Sequence, residues 1–124
     1  MNKLGTDIVE IDRIRKCLSN TFVEKVLSTE ELNIYKNYKG NRQTEYLAGR
    51  WAAKEAIIKC LSDYETPLMC DITILNNDKG KPIAKYKDYD IEVSISHEIH
   101  YAIAIACLNN KGETKWKLGK ENLK

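Results

Sequence analysis

Residues 43–61 read QTEYLAGRWAAKEAIIKCL and are the clearest helical segment of the chain. The segment contains no proline and many strong helix formers, and Gly49 is its only weak position. Ala48, Ala52 and Ala56 recur every four residues, so they line one side of the helix with small side chains. This pattern predicts a long helix against which another element packs closely.

Trp51, Glu55 and Lys59 follow one another at the same spacing on this helix. A Glu–Lys pair one turn apart is common on exposed helices, where it contributes about 0.3 kcal/mol. The surrounding alanines and Ile57 indicate a largely covered helix instead, and a covered carboxylate needs a cation. Glu55 is therefore a candidate functional carboxylate, with an ordinary surface ion pair as the alternative.

The segments before the long helix predict a strand followed by short helices. Ser28 and Glu31 have the spacing of a capping box. The predicted elements are a strand over 3–11, a helix capped by Asp12 and running through Ile14 and Leu18, a helix over 22–27, a helix from the Ser28 cap to about Tyr38, and a loop over 39–42.

The segments after the long helix predict an antiparallel sheet. Strands are expected over 72–75, 83–86, 91–95 and 101–108, with a hairpin turn over 76–80. From about residue 109 the tail is polar and rich in lysine, and Trp116 indicates one more short strand there. The fold class predicted is α+β, with helices on a mostly antiparallel sheet in a single domain over residues 1–124.

The composition of the chain limits its functional class. With 20 basic and 18 acidic residues, the net charge is only +2, which argues against a dedicated nucleic-acid-binding protein. No apolar run approaches the roughly 20 residues of a membrane helix, and the N-terminus lacks a signal-peptide pattern. We therefore expect a cytoplasmic protein that does not associate with membranes.

The four cysteines are expected to be reduced. They have neither CxxC spacing nor a nearby histidine at metal-ligand intervals. Cys60, Cys70 and Cys107 have apolar neighbours, so we expect buried thiols that act as small hydrophobic groups.

Asp7 is the second candidate carboxylate, because aspartate is disfavoured in a run of strand formers. Strand alternation could simply turn Asp7 toward solvent. Alternatively, Asp7 projects toward Glu55, and two carboxylates from different elements, completed by phosphates and water, are a common arrangement for Mg²⁺.

Basic residues are candidates for binding phosphate groups beside these carboxylates. The histidine that follows the predicted strand at 91–95 is a further candidate, although alone it is typical of a strand end. No G-x-S-x-G, G-x-G-x-x-G or Walker motif is present, so a serine hydrolase, a dinucleotide-binding protein and a P-loop protein are unsupported. The basic candidates are Arg42, Arg50, Lys54, Lys59 and Lys81, and the histidine is His97.

Four segments together resemble the holo-acyl-carrier-protein synthases, which are 4′-phosphopantetheinyl transferases. The segments are GTDIVEIDRI from residue 5, YLAGRWAAKEAIIK from residue 46, GKP from residue 80 and VSISH from residue 93. The resemblance implies transfer of the phosphopantetheine arm of coenzyme A to a serine of an acyl carrier protein, with Mg²⁺ as cofactor and a role in fatty acid biosynthesis. It also implies a homotrimer with active sites between subunits, to which His97 or Arg42 could contribute from a neighbour.

The resemblance also assigns roles to individual residues. Asp7 and Glu55 look like the family's metal ligands. Together with Lys59, they also look like its catalytic residues. The proton of the acceptor serine could pass to Glu55, to Asp7 or to a metal-bound water, and the sequence does not choose. The residues implied in binding the coenzyme are Arg42, Arg50, Lys59, Lys81, Pro82 and His97, and those implied in docking an acidic carrier are Arg13, Arg15, Lys16 and Lys25.

One departure from the family pattern bears on function. After Lys59 the family often has a glycine-rich F-G-T-G turn, whereas this chain has Cys60-Leu61-Ser62-Asp63. Two other functions therefore remain open: a protein that binds coenzyme A or a carrier without catalysis, and a small Mg²⁺-dependent nucleotide hydrolase. The paired acids argue against the first, and the basic helix after Asp7 argues against the second.

Overall fold

The computed structural model describes residues 2–109, and these form the predicted α+β arrangement. Four α-helices lie between the first strand and the other four strands. The strands are β1 (Lys3–Glu10), β2 (Thr73–Asn76), β3 (Pro82–Lys85), β4 (Ile91–His97) and β5 (Tyr101–Leu108), and the helices are α1 (Ile11–Lys16), α2 (Asn20–Val26), α3 (Thr29–Asn37) and α4 (Asn41–Leu61), with a short 3₁₀ helix at Met69–Asp71.

The strands form two antiparallel sheets. One has the order β1-β5-β4, and the other is the β2-β3 hairpin. On β5, buried alanines alternate with exposed side chains, so one face of the larger sheet is covered and the other is open. Helix α4 packs on the covered face against β1, β5 and β4. The buried alanines Ala102, Ala104 and Ala106 leave room for the helix.

The contact between α4 and β1 is especially close. Ala48, Ala52 and Ala56 are completely buried, which agrees with the predicted stripe of small residues. A Cβ atom on Gly5 would lie 2.0 Å from the carbonyl oxygen of Ala56, so only glycine fits at this position of β1. This contact holds the middle of β1 directly against α4.

The capping box before α3 is confirmed, and it is part of a larger buried network. The Ser28 hydroxyl accepts from the Glu31 amide, and a Glu31 carboxylate oxygen accepts from the Ser28 amide. Glu31 is completely buried and also accepts from the amide of Ile74 at 2.9 Å and from Lys54 Nζ at 2.5 Å. It therefore joins α3 to both α4 and β2.

Several predictions about local structure were wrong in detail. Asp12 does not cap α1, because the helix begins at Ile11 with Glu10 at its N-cap. Helix α4 begins at Asn41, inside the predicted loop. Of the three cysteines expected to be buried, Cys60 is buried but Cys70 and Cys107 are only partly buried; Cys17 is exposed, and all four cysteines are free thiols as predicted.

The hairpin turn between β2 and β3 is confirmed, with Gly80 at a φ of +84° that favours glycine. The strand predicted around Trp116 lies outside the described residues. Among residues 2–109, no helix is long and apolar enough to cross a membrane.

Candidate active site

Asp7 and Glu55 line the same pocket, whose volume is about 370 Å³. Asp7 is turned toward α4 because it alternates along β1 with exposed Thr6 and Ile8. Glu55 projects into the pocket from α4. The structure therefore brings together the two carboxylates predicted from separate motifs. The other lining residues are Ile8, Val9, Arg13, Ile14, Cys17, Phe22 and Trp51.

Both carboxyl groups have a raised pKa and therefore ionise less readily than usual. Burial raises the pKa of both, and the charge of Asp7 raises the pKa of Glu55 further, while Lys59 acts in the opposite direction on each. Within the described part of the chain, Oδ2 of Asp7 is buried without a hydrogen-bond partner. Such a pair favours either a shared proton or a bound cation.

Lys59 crosses from α4 to β1 beside these carboxylates. Its Nζ donates to the carbonyl oxygen of Thr6 at 2.7 Å and lies 3.6 Å from Oδ1 of Asp7. Lys59 thus forms its ion pair with Asp7 of β1. The alternative considered from the sequence, a surface pair with Glu55 on the same helix, would have joined Lys59 to Glu55 instead. The side chain of Lys59 remains 55% exposed, so its ammonium is accessible to an anionic ligand.

The residues present fit a hard divalent cation. Carboxylate oxygens are the ligands that Mg²⁺ prefers, and Mg²⁺ often takes only one or two of them, with water and substrate phosphates completing its shell. Residues 2–109 contain no group of three or more His, Cys, Asp and Glu side chains arranged to hold a metal. Asp7 and Glu55 therefore suit a cation that shares its ligands with a phosphate substrate.

The wall of this pocket is partly basic and partly apolar. Arg13 lies beside the carboxylates, and the rings of Phe22 and Trp51 contact each other with centroids 5.6 Å apart. Arg15 pairs with Asp12 on the exposed side of α1, so its charge is partly compensated. Lys16 is exposed on α1, and Lys25 is exposed near the end of α2.

A second pocket, of about 390 Å³, brings together Arg42, Arg50 and His97. The guanidinium of Arg42 lies over the ring of Tyr38 and that of Arg50 over the ring of Tyr46, each 4.5 Å from the ring centre. His97 Nδ1 lies 3.9 Å from a carboxylate oxygen of Glu45. The remaining lining residues are Gly49, Asn76 and Ile95.

Lys54 does not belong to any of these sites, contrary to the prediction that it is a phosphate-binding candidate. It is completely buried, and its Nζ donates to Glu31 and to the carbonyl oxygens of Val26 and Met69. An ammonium with all its donors engaged is not available to a ligand.

Lys81 and Pro82 line a third pocket, of about 360 Å³, on the open face of the larger sheet. Leu4 and Ile105 contribute apolar walls to it. The three pockets have no lining residue in common, so in one copy of the chain Asp7 and Glu55 line one pocket, Arg42, Arg50 and His97 another, and Lys81 and Pro82 a third.

Sequence reasoning missed the two tyrosines of the second pocket. Arg42, Tyr46 and Arg50 are spaced by four residues, so the helix pattern already placed this tyrosine between the two arginines. Tyr38 precedes α4, and its contact with Tyr46 depends on the path of the chain there, with ring centroids 5.3 Å apart.

The segment after α4, where glycines are absent, is held by side chains. Asp63 pairs with Lys3 of β1. Glu65 accepts hydrogen bonds from Lys87, Tyr86 and Tyr89, and these bonds lower the pKa of Glu65 to about 2. The segment therefore has a defined conformation without glycine.

Comparison with known proteins was made for both sequence and structure. Residues 3–112 match the family profile of the 4′-phosphopantetheinyl transferase superfamily. The chain is 38% identical over 112 residues to a holo-[acyl-carrier-protein] synthase of Bacillus thuringiensis, an alignment that covers 86% of this chain and 94% of the relative.

Solved structures give the same result. A holo-(acyl-carrier-protein) synthase from Bacillus anthracis, in complex with CoA (3′,5′-ADP), superimposes with a TM-score of 0.78 at 38% identity, over 86% of this chain and 94% of the other. A Helicobacter pylori holo-[acyl-carrier-protein] synthase in complex with coenzyme A superimposes with a TM-score of 0.73 at 29% identity, over 86% and 99%.

Proposed function

Because the chain belongs to the 4′-phosphopantetheinyl transferase superfamily, as a holo-[acyl-carrier-protein] synthase, we propose that it transfers phosphopantetheine from coenzyme A to an acyl carrier protein. The acceptor is a serine of the apo carrier, and adenosine 3′,5′-bisphosphate leaves. The observation that carries the proposal is the pairing of Asp7 and Glu55 in one pocket, with Lys59 beside them. We also propose that the reaction takes place in the cytoplasm and supplies fatty acid biosynthesis.

Asp7 and Glu55 would hold Mg²⁺, which when bound supplies charge neutralisation for a pyrophosphate and alignment of the reacting groups. The raised pKa of both carboxyl groups and the unpaired Oδ2 of Asp7 support this role. Lys59, being half exposed, is placed to bind the same phosphates.

The chemical step joins the serine oxygen to the β-phosphorus of coenzyme A and breaks the bond from that phosphorus to the bridging oxygen. The bridging oxygen leaves on adenosine 3′,5′-bisphosphate. Glu55 accepts the serine proton, since Asp7 is already paired with the ammonium of Lys59.

The carrier approaches from the side of α1. Arg13 lines the pocket that contains both carboxylates, so it is the residue of the predicted docking group nearest the chemistry. Arg15, Lys16 and Lys25 extend the positive surface outward, which steers an acidic partner toward the pocket.

The active form is proposed to be a homotrimer. Arg42, Arg50 and His97, together with Lys81 and Pro82, line pockets separate from that of Asp7 and Glu55. In a homotrimer, a coenzyme that uses residues of all three pockets would be bound between copies. The open face of the larger sheet, rich in isoleucine, is the proposed contact between them.

The test is mass spectrometry of an apo acyl carrier protein incubated with this protein, coenzyme A and Mg²⁺. The expected result is a gain of about 340 Da on the carrier, the mass of the transferred arm, and no gain in EDTA. Coenzyme A binding without any mass change would indicate a binding protein. Phosphopantetheine released free, without a carrier, would indicate a hydrolase.

A further inference from the structure

A buried cluster of three charged groups lies between α3 and α4. Glu31 and Lys54 have fully buried side chains, and that of Arg50 is only 8% exposed. The proposed chemistry uses neither Glu31 nor Lys54. Burying charged groups is costly unless they are fully paired, so the balance of charge within the cluster matters.

Lys54 carries a positive charge in this cluster. Its Nζ donates to Glu31 Oε1 at 2.5 Å, to Val26 O at 2.7 Å and to Met69 O at 3.0 Å. Three donated bonds require the ammonium, because a neutral amine has only two N–H groups. Burial lowers the pKa of Lys54, and Glu31 opposes that effect.

Within residues 2–109, Arg50 has no close counter-charge of its own. Its Nε lies 3.9 Å from Oε2 of Glu31, and that oxygen already accepts from the amide of Ile74. The Nε has no hydrogen-bond partner among the described residues. Its Nη2 donates to two neutral oxygens, Ile74 O at 3.1 Å and Asn76 Oδ1 at 3.3 Å.

Two cations, Lys54 and Arg50, therefore lie near one carboxylate, that of Glu31, and Lys54 is the one that pairs closely with it. The uncompensated charge falls on Arg50, which lines the pocket of Arg42 and His97; the carboxylate of Glu45, which also lines this pocket, lies beside His97. An anion in that pocket would complete the balance of charge. We infer that Lys54 is a positioning residue: by occupying Glu31, it leaves the guanidinium of Arg50 free to attract a phosphate group of the substrate. The identity of this phosphate as one of coenzyme A rests on the proposed function.

Three variants distinguish an effect of the net charge of the cluster from an effect of altered packing. Lys54→Met leaves one carboxylate for one cation, so Glu31 can pair with Arg50. Glu31→Gln together with Lys54→Met removes one charge of each sign and restores a single positive charge on Arg50. Glu31→Gln alone leaves two cations. Binding of adenosine 3′,5′-bisphosphate is measured by calorimetry for each variant, with adenosine as the uncharged probe.

We expect Lys54→Met to bind the bisphosphate roughly ten-fold more weakly. In this variant Glu31 neutralises Arg50, so the positive charge that attracts the phosphate is lost. The double variant should return close to the affinity of the unmodified protein. In the transfer assay, Lys54→Met should raise the KM for coenzyme A and leave kcat nearly unchanged. Equal affinities for all variants, or a double variant as weak as Lys54→Met, would overturn the inference.

A measurement on the unmodified protein covers the case in which a variant fails to fold. The Nε–H resonance of Arg50, assigned by its loss in Arg50→Lys, should shift when adenosine 3′,5′-bisphosphate is added but not when adenosine is added. No shift at saturating bisphosphate would show that Arg50 meets no phosphate and would overturn the inference. Charge-dependent bisphosphate binding without transfer to any carrier would refute the proposed function alone.

Discussion

Glu55 is a carboxylate whose ionisation opposes folding when no cation is bound. Its pKa is raised by burial and by Asp7, so the protonated form contributes stability below the ordinary glutamate pKa. That stability is lost as pH rises through the raised value. Glu55→Gln should therefore give a higher Tm than the unmodified protein in EDTA at pH 7. Transfer activity should fall on the order of 100-fold or more, because a metal ligand and a base are lost.

Thermal melts and transfer assays on the same preparations test both parts of this prediction. Asp78→Asn is the matched control, since Asp78 is an exposed carboxylate in the β2–β3 turn. The control should change neither Tm nor activity measurably. A Glu55→Gln protein that transfers normally would refute the assignment of the metal site.

Lys59 should set the lower pH limit of the reaction. Its ammonium lowers the pKa of both Asp7 and Glu55, which must be ionised to hold a cation. In Lys59→Met both values rise, so the acid limb of the kcat/KM profile should move to higher pH, by about one unit. A profile that falls in height without moving on the pH axis would mean that Lys59 only binds substrate.

At the residue scale, Asp7 and Glu55 were predicted because each is an acid in a context that packing alone does not explain, and the two line one pocket. Composition alone made Lys54 as well as Lys59 a phosphate-binding candidate, since both are lysines of α4. The difference comes from Glu31, which lies 23 residues before Lys54 and meets it only in the folded chain. Sequence spacing has no access to that contact.

The contact of β1 with α4 should fail if Gly5 gains a side chain. The added Cβ of Gly5→Ala would meet backbone, the carbonyl of Ala56, at 2.0 Å. The strand and the helix must separate, which should cost about 1–3 kcal/mol or more in the free energy of unfolding. The same shift moves Asp7 relative to Glu55, so activity should fall further than the loss of folded protein explains. Urea unfolding and transfer assays measure the two effects.

Gly49→Ala provides a graded comparison on α4 itself, two turns before Ala56 and against strand β4 of the same sheet. There the added Cβ lies 3.3 Å from a methyl carbon of Ile95, a side chain that can adjust. The gain from alanine in a helix, about 1 kcal/mol, should roughly offset this contact. Equal destabilisation by the two substitutions would contradict the interpretation of the β1–α4 approach.

Helix α1 is expected to act in carrier docking rather than in chemistry. Arg13→Glu reverses a charge at the edge of the carboxylate pocket, so the KM for the carrier should rise roughly ten-fold and become more sensitive to salt. The turnover number should change little. Lys36→Glu, at an exposed position of α3, is the matched control and should leave the KM unchanged. A fall in kcat alone would refute the docking role.

At the element scale, long patterned segments were predicted well and short ones less so. Helix α4 is 21 residues long, and its stripe of alanines was sufficient to place it. Helix α1 has only 6 residues, and its first turn is stabilised by the bond from the Ile11 amide to the carbonyl of His100 on a distant loop. That tertiary contact starts the helix before Asp12, which local capping preferences could not reveal.

At the scale of the whole fold, residues 2–109 leave one face of the larger sheet uncovered. Leu4 and Ile8 on β1 lie beside Ile103 and Ile105 on β5, all of them exposed. The alternation along both strands, with alanines and glycine inward and large apolar residues outward, is visible in the sequence. What the sequence could not show is that, among residues 2–109, α4 covers one face of the sheet while the opposite face stays open, the face proposed above as the contact between copies.

Ile103→Glu should therefore convert the proposed trimer to monomers. A charge in an apolar contact between copies is costly, whereas in a monomer it faces water. Light scattering after size exclusion measures the mass, and circular dichroism establishes that the variant is folded. Activity should be lost together with the trimer, because in a monomer the pocket of Arg42 would no longer meet the pocket of Glu55 in a neighbouring copy. A fully active monomer would refute sites shared between subunits.

Subunit mixing tests the same arrangement without disturbing assembly. Glu55→Ala and Arg42→Ala should each be nearly inactive alone, since each removes one half of every shared site. After the two are unfolded together and refolded, mixed trimers contain sites in which an intact Glu55 pocket meets an intact Arg42 pocket, so activity should return. If each chain built its own complete site, the mixture would stay as inactive as its parts. Recovery would therefore place the two halves of one site on different copies.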